Sequence, residues 1–319
     1  MKPLFISLFI LYLFSDKPKW GFFAHRLINE NAVYTLPHPL NSFFKSHIYR
    51  ISSSAINADK RVYIDTAEGK RHFIDLDRWQ PNDVSFDLNM DSLYNNEDSL
   101  HQSLDTLMVP WHKLKARQDR FNFLQHGMIP WQIEISYQNL VYAFQEKNTK
   151  NIIKHAADLG HYIADAHVPL HTSSNYNGQF SNQLGIHALW ESRLPERFFE
   201  HYNLMVGTAS YIDHVPSFAW LTIKESHARL DSVLLLEKTT ADSLPDLHHK
   251  SFQARGNSIL HTYSNAYLDL YHELLEGMVE RRMQKSIHAV GSLWWSAWID
   301  AGQPDLPIQT KKDKTESFN

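Results

Sequence analysis

The chain has 319 residues, a formal net charge of -4, 20 histidines and no cysteine. That charge gives no electrostatic case for binding duplex nucleic acid, and the lack of cysteine excludes disulfides, thiolate metal sites and a lipid-modified Cys. Any metal must be held by His, Asp, Glu, backbone or water, in a chain long enough to bury a sizeable core.

At the N-terminus, Lys2 precedes an apolar run from Pro3 to Phe14, and the small Ser15 follows. The run is too short to span a bilayer and fits the apolar core of a secretory signal, so residues 1–19 are expected to be a signal peptide plus a short segment, and the protein to be exported. Trp20 to Pro37 reads as an amphipathic helix after its Trp-Gly pair. Phe22, Leu27, Ala32 and Val33 fall near one side and Arg26, Asn29 and Glu30 on the other. His25 sits in its first turns and, taken alone, reads as an ordinary partly buried histidine. Between residues 38 and 79, Asp59 has the look of a helix N-cap. His72 opens HFIDLDRW, where Asp75 and Asp77 alternate with apolar residues. From about 80 to 100 the density of Asn, Asp and Ser predicts a loop.

Beyond Leu100 the pattern is helical, with helices expected near 101–126, 131–147, 149–168, 187–202, 215–237, 255–280 and 282–300. Pro130, Pro169 and the polar breaks near 174–185 and 239–250 punctuate them. Apolar faces of this kind pack as an all-α bundle, expected as a single domain over 20–303 with a polar tail over 304–319. Helical spacing puts Trp294 and Trp298 on one face, which predicts core packing rather than a membrane-interface belt.

The most informative stretch runs from His161 to Glu191. His161 and Asp165 are four apart and leave the same helix face. Pro169 then bends or ends the helix, His171 follows at once, and after a polar loop His187 and Glu191 are again four apart. One such pair is usually a surface ion pair or a satisfied core histidine; two, with a further His after a Pro between them, predict a metal site. Imidazole and carboxylate at helical spacing suit a borderline cation such as zinc. His167, two residues from Asp165, turns away from the His161 face and reads as structural.

Together these pieces carry a resemblance. The W-G-x-x-x-H start (Trp20, Gly21, His25), the Asp of an Ala-Asp turn (Asp59), H-x-x-D (His72, Asp75), H-x-x-x-D-x-H-x-P-L-H (His161 to His171) and H-x-x-W-E (His187 to Glu191) follow in order. In that order they resemble the superfamily of zinc-dependent phospholipases C and single-strand-specific nucleases, secreted all-helical phosphodiesterases with three zinc ions. The wording WGFFAHRLIN and GHYIADAHVPLHTSSNYNGQ looks like the bacterial zinc-dependent phospholipase C branch.

The resemblance implies that Asp59, His72, His161 and Asp165 bind one zinc and that His171, His187 and Glu191 bind a second. Trp20, through its backbone amine and carbonyl, would join His25 and Asp165 on a third, with Asp165 as the bridge. The implied reaction is phosphodiester hydrolysis by a zinc-activated water, with Asp59 as a candidate base. Phe73 and Asp75, beside His72, are expected at the substrate pocket, where Phe73 would stack on a base or pack on a cationic head group. The implied partner is a phospholipid or another phosphodiester, with transient contact to a membrane surface. The alternative is a single-strand nuclease or 3'-nucleotidase, for which Lys60, Arg61, Lys70 and Arg71 are the nearby cations. Glu191, where the nuclease branch carries Asp, and NYNGQ, where it carries a Gly-Gly-Asn loop, lean toward the phospholipase.

Overall fold

A computed structural model describes residues 21–78, 123–255 and 258–307. The expected signal segment with Trp20, the loop over 80–100, residues 101–122 of one expected helix and residues 308–319 of the tail lie outside the described residues. What is described is all-α apart from one two-stranded sheet. No described helix is long and apolar enough to cross a membrane.

The chain enters through α1 (Phe22–Thr35), then α2 (Leu40–Ser46), α3 (Ile48–Ser54) and the short α4 (Asn57–Arg61). After 3-10 turns at Glu68–Arg71 and Leu76–Arg78 come the long antiparallel neighbours α5 (Ile129–Gln145) and α6 (Thr149–Ala166). Pro130 lies in the first turn of α5, where its missing N–H has no helical partner to lose. Asn148 caps α6 by accepting from the Asn151 backbone N–H at 3.1 Å.

Helix α6 is the axis of the fold. It packs against α1, α3, α5 and the final helix, and everything from Ala156 to Ala166 is buried. Ala156, Ala157, Gly160, Ala164 and Ala166 keep its surface thin enough for neighbours on several sides. After it come a 3-10 turn (Pro169–Thr172), α7 (Ile186–Ala188), a π turn (Leu189–Arg193) and α8 (Leu194–Phe198). Next are α9 (Val215–His227), α10 (Leu230–Ser243), the hairpin β1 (Lys250–Arg255) and β2 (Ser258–Tyr263), α11 (Asn265–Leu274) and α12 (Met278–Asp300).

One buried apolar cluster runs from Ala24 to Trp298. Trp294 and Trp298 belong to it, as their shared face predicts. Trp294 stacks on Phe44 with ring centres 4.8 Å apart and donates Nε1–H to the Ala156 carbonyl at 2.9 Å, tying α12 to α6.

Several expectations are corrected. The helix expected over 215–237 is two helices, α9 and α10, with the break at Ala228 and Arg229. No Pro or Gly marks that break in the sequence. The helix expected over 255–280 begins only at Asn265. Before it, Lys250 pairs with Tyr263 and Phe252 with His261 in an antiparallel ladder. The Gly256-Asn257 pair between the two runs is a hairpin signal in the sequence that helical periodicity masked. The last helix starts at Met278 rather than 282, because the positive φ angles of Glu276 and Gly277 end the preceding turn. On α1, Ala32 and Val33 are buried and Arg26 and Glu30 exposed, on the expected sides, but Asn29 is fully buried and Phe22 is 42% exposed, opposite to expectation. Asp59 is not an N-cap: Ile56 holds that position, and Asp59 lies within the first turn of α4 with its carboxylate buried.

Candidate metal centre

Every predicted ligand side chain within the described residues arrives in one buried region, none more than 4% exposed. Trp20 lies outside those residues. The α6 face presents His161 and Asp165 inward. The 3-10 turn after Pro169 points His171 back at them, while α7 and the π turn carry His187 and Glu191. Helix α1 delivers His25, α4 delivers Asp59, and His72 follows the 3-10 turn Glu68–Arg71.

Asp165 is the hub. One carboxylate oxygen lies 2.8 Å from His72 Nδ1 and 3.3 Å from His161 Nε2; the other lies 3.4 Å from His25 Nε2 and 3.9 Å from His171 Nε2. Asp59 faces the same rings, 3.7 Å from His161 Nε2 and 3.8 Å from His72 Nδ1. The second group is tighter: Glu191 Oε2 stands 2.8 Å from His187 Nε2 and 3.3 Å from His171 Nε2, and those two nitrogens are 3.1 Å apart. Three sets of donors, His25 with Asp59 and His161, His72 with His161 and Asp165, and His171 with His187 and Glu191, each fall within 4.8 Å of one another. The resemblance assigns His25 to Asp165 and Trp20. In the structure His25 also reaches Asp59 and stacks on His161, with ring centres 3.8 Å apart.

Hydrogen bonds to the backbone decide which nitrogens face the centre. His161 Nδ1–H donates to the Ala55 carbonyl at 2.7 Å, and His171 Nδ1–H donates to the His72 carbonyl. A carbonyl only accepts, so in the neutral rings Nε2 carries the lone pair and is the atom turned toward the carboxylates. Lone pairs and carboxylate oxygens that meet at 2.8–3.9 Å repel unless a proton or a cation lies between them. Donor atoms around one tetrahedral zinc stand about 3.3 Å apart when its bonds are of ordinary length. The donor set, neutral imidazole with carboxylate and no thiolate, therefore fits zinc in both chemistry and spacing.

The electrostatics point the same way. Burial pushes Glu191 up to about 8. Burial pulls His161 down, but the Asp165 and Asp59 carboxylates outweigh it and hold the ring up at about 9. Burial would raise Asp165, yet His161 and His171 hold it well below the usual carboxylate range. Burial, with His161 alongside, lowers His25 to about 4.

No family model matches the chain, and no curated protein matches it.

Two glycines make the approach of the elements possible. A Cβ on Gly160 would fall 2.1 Å from Asn29 Oδ1, so only glycine lets α1 lie close enough to α6 for His25 to stack on His161. Gly21 donates its N–H to the Glu191 carbonyl at 3.4 Å, and a Cβ there would meet Ser192 Oγ at 2.7 Å. The Gly of the Trp-Gly pair thus seats the start of α1 against the π turn. Such π turns recur at functional sites, and this one carries Glu191.

Of the two expected pocket residues, Phe73 is half-buried directly after His72. Asp75 is buried with Oδ2 3.4 Å from His126 Nδ1 and is outside the three donor sets. His167, expected to be structural, is buried outside the three donor sets, and its Nδ1–H donates to the Ile163 carbonyl at 2.7 Å. Sequence reasoning missed Glu68, a fully buried carboxylate four residues before His72. The spacing of the other His–acid pairs was the signal that could have found it. It also missed Tyr176, whose ring lies edge-on to His187 at 5.8 Å.

Proposed function

We propose that the chain is a zinc-dependent phosphodiester hydrolase that releases a phosphorylated head group from a phospholipid, a phospholipase C-type reaction. The observation that carries the reading is the convergence on Asp165 of imidazoles from α1, α6, the end of the turn Glu68–Arg71 and the turn at Pro169, with Asp59 of α4 facing two of the same rings. Each donor set mixes His with Asp or Glu, the composition of catalytic rather than closed structural zinc sites. Zinc held there supplies an acidified water and neutralises the phosphate oxygens. Overall, water adds to phosphorus, the P–O bond to the glycerol oxygen breaks, and that oxygen leaves with a proton.

The chain's own groups set the stage for that reaction. Asp165 supplies negative charge between four imidazoles and keeps them converged. Asp59, buried beside His72 and His161, is the carboxylate placed to take a proton from the attacking water. The Ala55 and His72 carbonyls hold His161 and His171 in the tautomer that presents Nε2. Phe73 is the candidate for the substrate rim. Arg61 and Arg71, two of the cations a nucleic-acid backbone would need, are already tied to Glu68, and Arg61 also to Asp158. That supports a lipid phosphate over a polynucleotide.

The test offers zinc-loaded protein phosphatidylcholine vesicles and single-stranded DNA together, with chelator and Asp165→Asn as controls. Release of the phosphorylated head group with the DNA intact is the expected result. Nucleotide release with the lipid untouched would make the protein a nuclease.

A further inference from the structure

Glu68 is a carboxylate with no exposure, held from three sides. Arg61 donates one N–H to its Oε1 at 3.0 Å, Tyr162 donates its hydroxyl to the same oxygen, and Arg71 donates to Oε2. Arg61 is itself braced, donating to Asp158 at 3.0 Å and to the Tyr162 oxygen at 3.1 Å. The same carboxylate faces His72: its Oε1 lies 3.9 Å from Nε2. The other ring nitrogen, Nδ1, is the one aimed at Asp165, His161 and Asp59. Tyr162 sets its ring edge-on to both His72, at 5.4 Å, and His161, at 5.7 Å.

A network whose only task was to tie α4 to α6 would be complete with Arg61 and Asp158. Placing a buried carboxylate between two arginines behind a histidine does something else, because desolvating that charge is costly unless it is well partnered. A metal-bound histidine characteristically gives its second N–H to a carboxylate, which fixes the tautomer and makes the ring a better donor. At 3.9 Å the oxygen lies beyond hydrogen-bond length, so Glu68 acts on the ring through its charge rather than as an acceptor. A cation on Nδ1 would withdraw electrons from the ring and so strengthen the electrostatic pull of Glu68 on the Nε2–H.

We propose that Glu68 is a positioning residue for the donor set around His72: its negative charge, facing Nε2 from 3.9 Å, favours the proton on that nitrogen so that the Nδ1 lone pair is presented to the metal, and Arg61, Arg71 and Tyr162 lock the carboxylate in that pose. The proposal rests on the metal-centre reading above and goes beyond it by assigning a residue outside the ligand set.

The experiment uses the full chain and zinc itself as the probe. Zinc content and affinity are measured by chelator competition for the wild type, Glu68→Gln and Asp158→Asn, with thermal unfolding as a check on folding. Long-range proton–nitrogen NMR reports which nitrogen of His72 carries the proton. Glu68→Gln is expected to weaken one class of zinc site by about 10–100-fold and to shift the His72 nitrogen signals. The sites built on His171, His187 and Glu191 should keep their affinity. Asp158→Asn, which loosens the network but leaves Glu68 facing His72, is expected to change zinc affinity less than about threefold. Equal affinity in wild type and Glu68→Gln would overturn the proposal while leaving the metal centre standing, as would an equal drop in both variants. A wild-type chain that takes up no zinc would remove the proposal and the reading beneath it together.

Discussion

Asp165 lies within 3.9 Å of four imidazoles, so replacing its charge is felt in every direction at once. Asp165→Asn is expected to lower zinc content and to cost more affinity than the about 10–100-fold typical of a supporting residue, while the His187–Glu191 pair keeps its ion; metal analysis of the purified variant checks this. Protons compete for the same positions. Glu191, raised to about 8 by burial, carries a proton at pH 7 in the metal-free protein. His161 does so too, because its neighbouring carboxylates outweigh burial and hold it at about 9. Metal uptake at pH 7 must displace those protons, so apparent affinity is expected to rise with pH through 8 and level off above about 9. Calorimetry in buffers of different ionisation heat should record proton release, and a pH-independent affinity would contradict the assignment. At this scale the pairs His161–Asp165 and His187–Glu191 were legible because i,i+4 spacing is local geometry. Glu68 was not singled out, since a lone acid before a histidine looks like any surface pair until its burial is known.

Among the elements, α6 decides most, because both its faces and its thinness matter. Gly160→Ala is expected to push α1 from α6, separate His25 from His161 and destabilise the fold by about 1–3 kcal/mol, the usual cost of overpacking. Denaturant unfolding together with zinc content tests this; an unchanged variant would show that the close approach of α1 is dispensable. Helices α5 and α6 were predicted nearly to their ends because Pro130 and Pro169 are local start and stop signals. The break between α9 and α10 has no such signal. The hairpin over 250–263 was hidden because short strands beside a helical pattern give period-two alternation little room to register.

For the molecule as a whole, the centre and the core are one structure, since Asp165 and His161 ride on a helix buried from all sides. Zinc held at the proposed centre would screen acceptors that face one another, so chelator is expected to lower the unfolding temperature. The loss is about 4 kcal/mol if free zinc had stood at a thousand times its dissociation constant, and thermal unfolding with and without chelator measures it. The sequence by itself determined the all-α class, the absence of thiolate ligands, the helical pairs at 161/165 and 187/191 and the turn that frees His171. Those follow from residue type, capping and the 3.6-residue repeat, which act over a few positions. Only the tertiary structure decided that His72 reaches Asp165 across 93 residues, and that His161 finds the Ala55 carbonyl across 106. It also decided that Asn29 faces inward and that Glu68 stands behind His72. Those contacts depend on how closely helices pack, and that distance is set by side chains such as Gly160 on one helix meeting Asn29 on another. No spacing along a single segment encodes it.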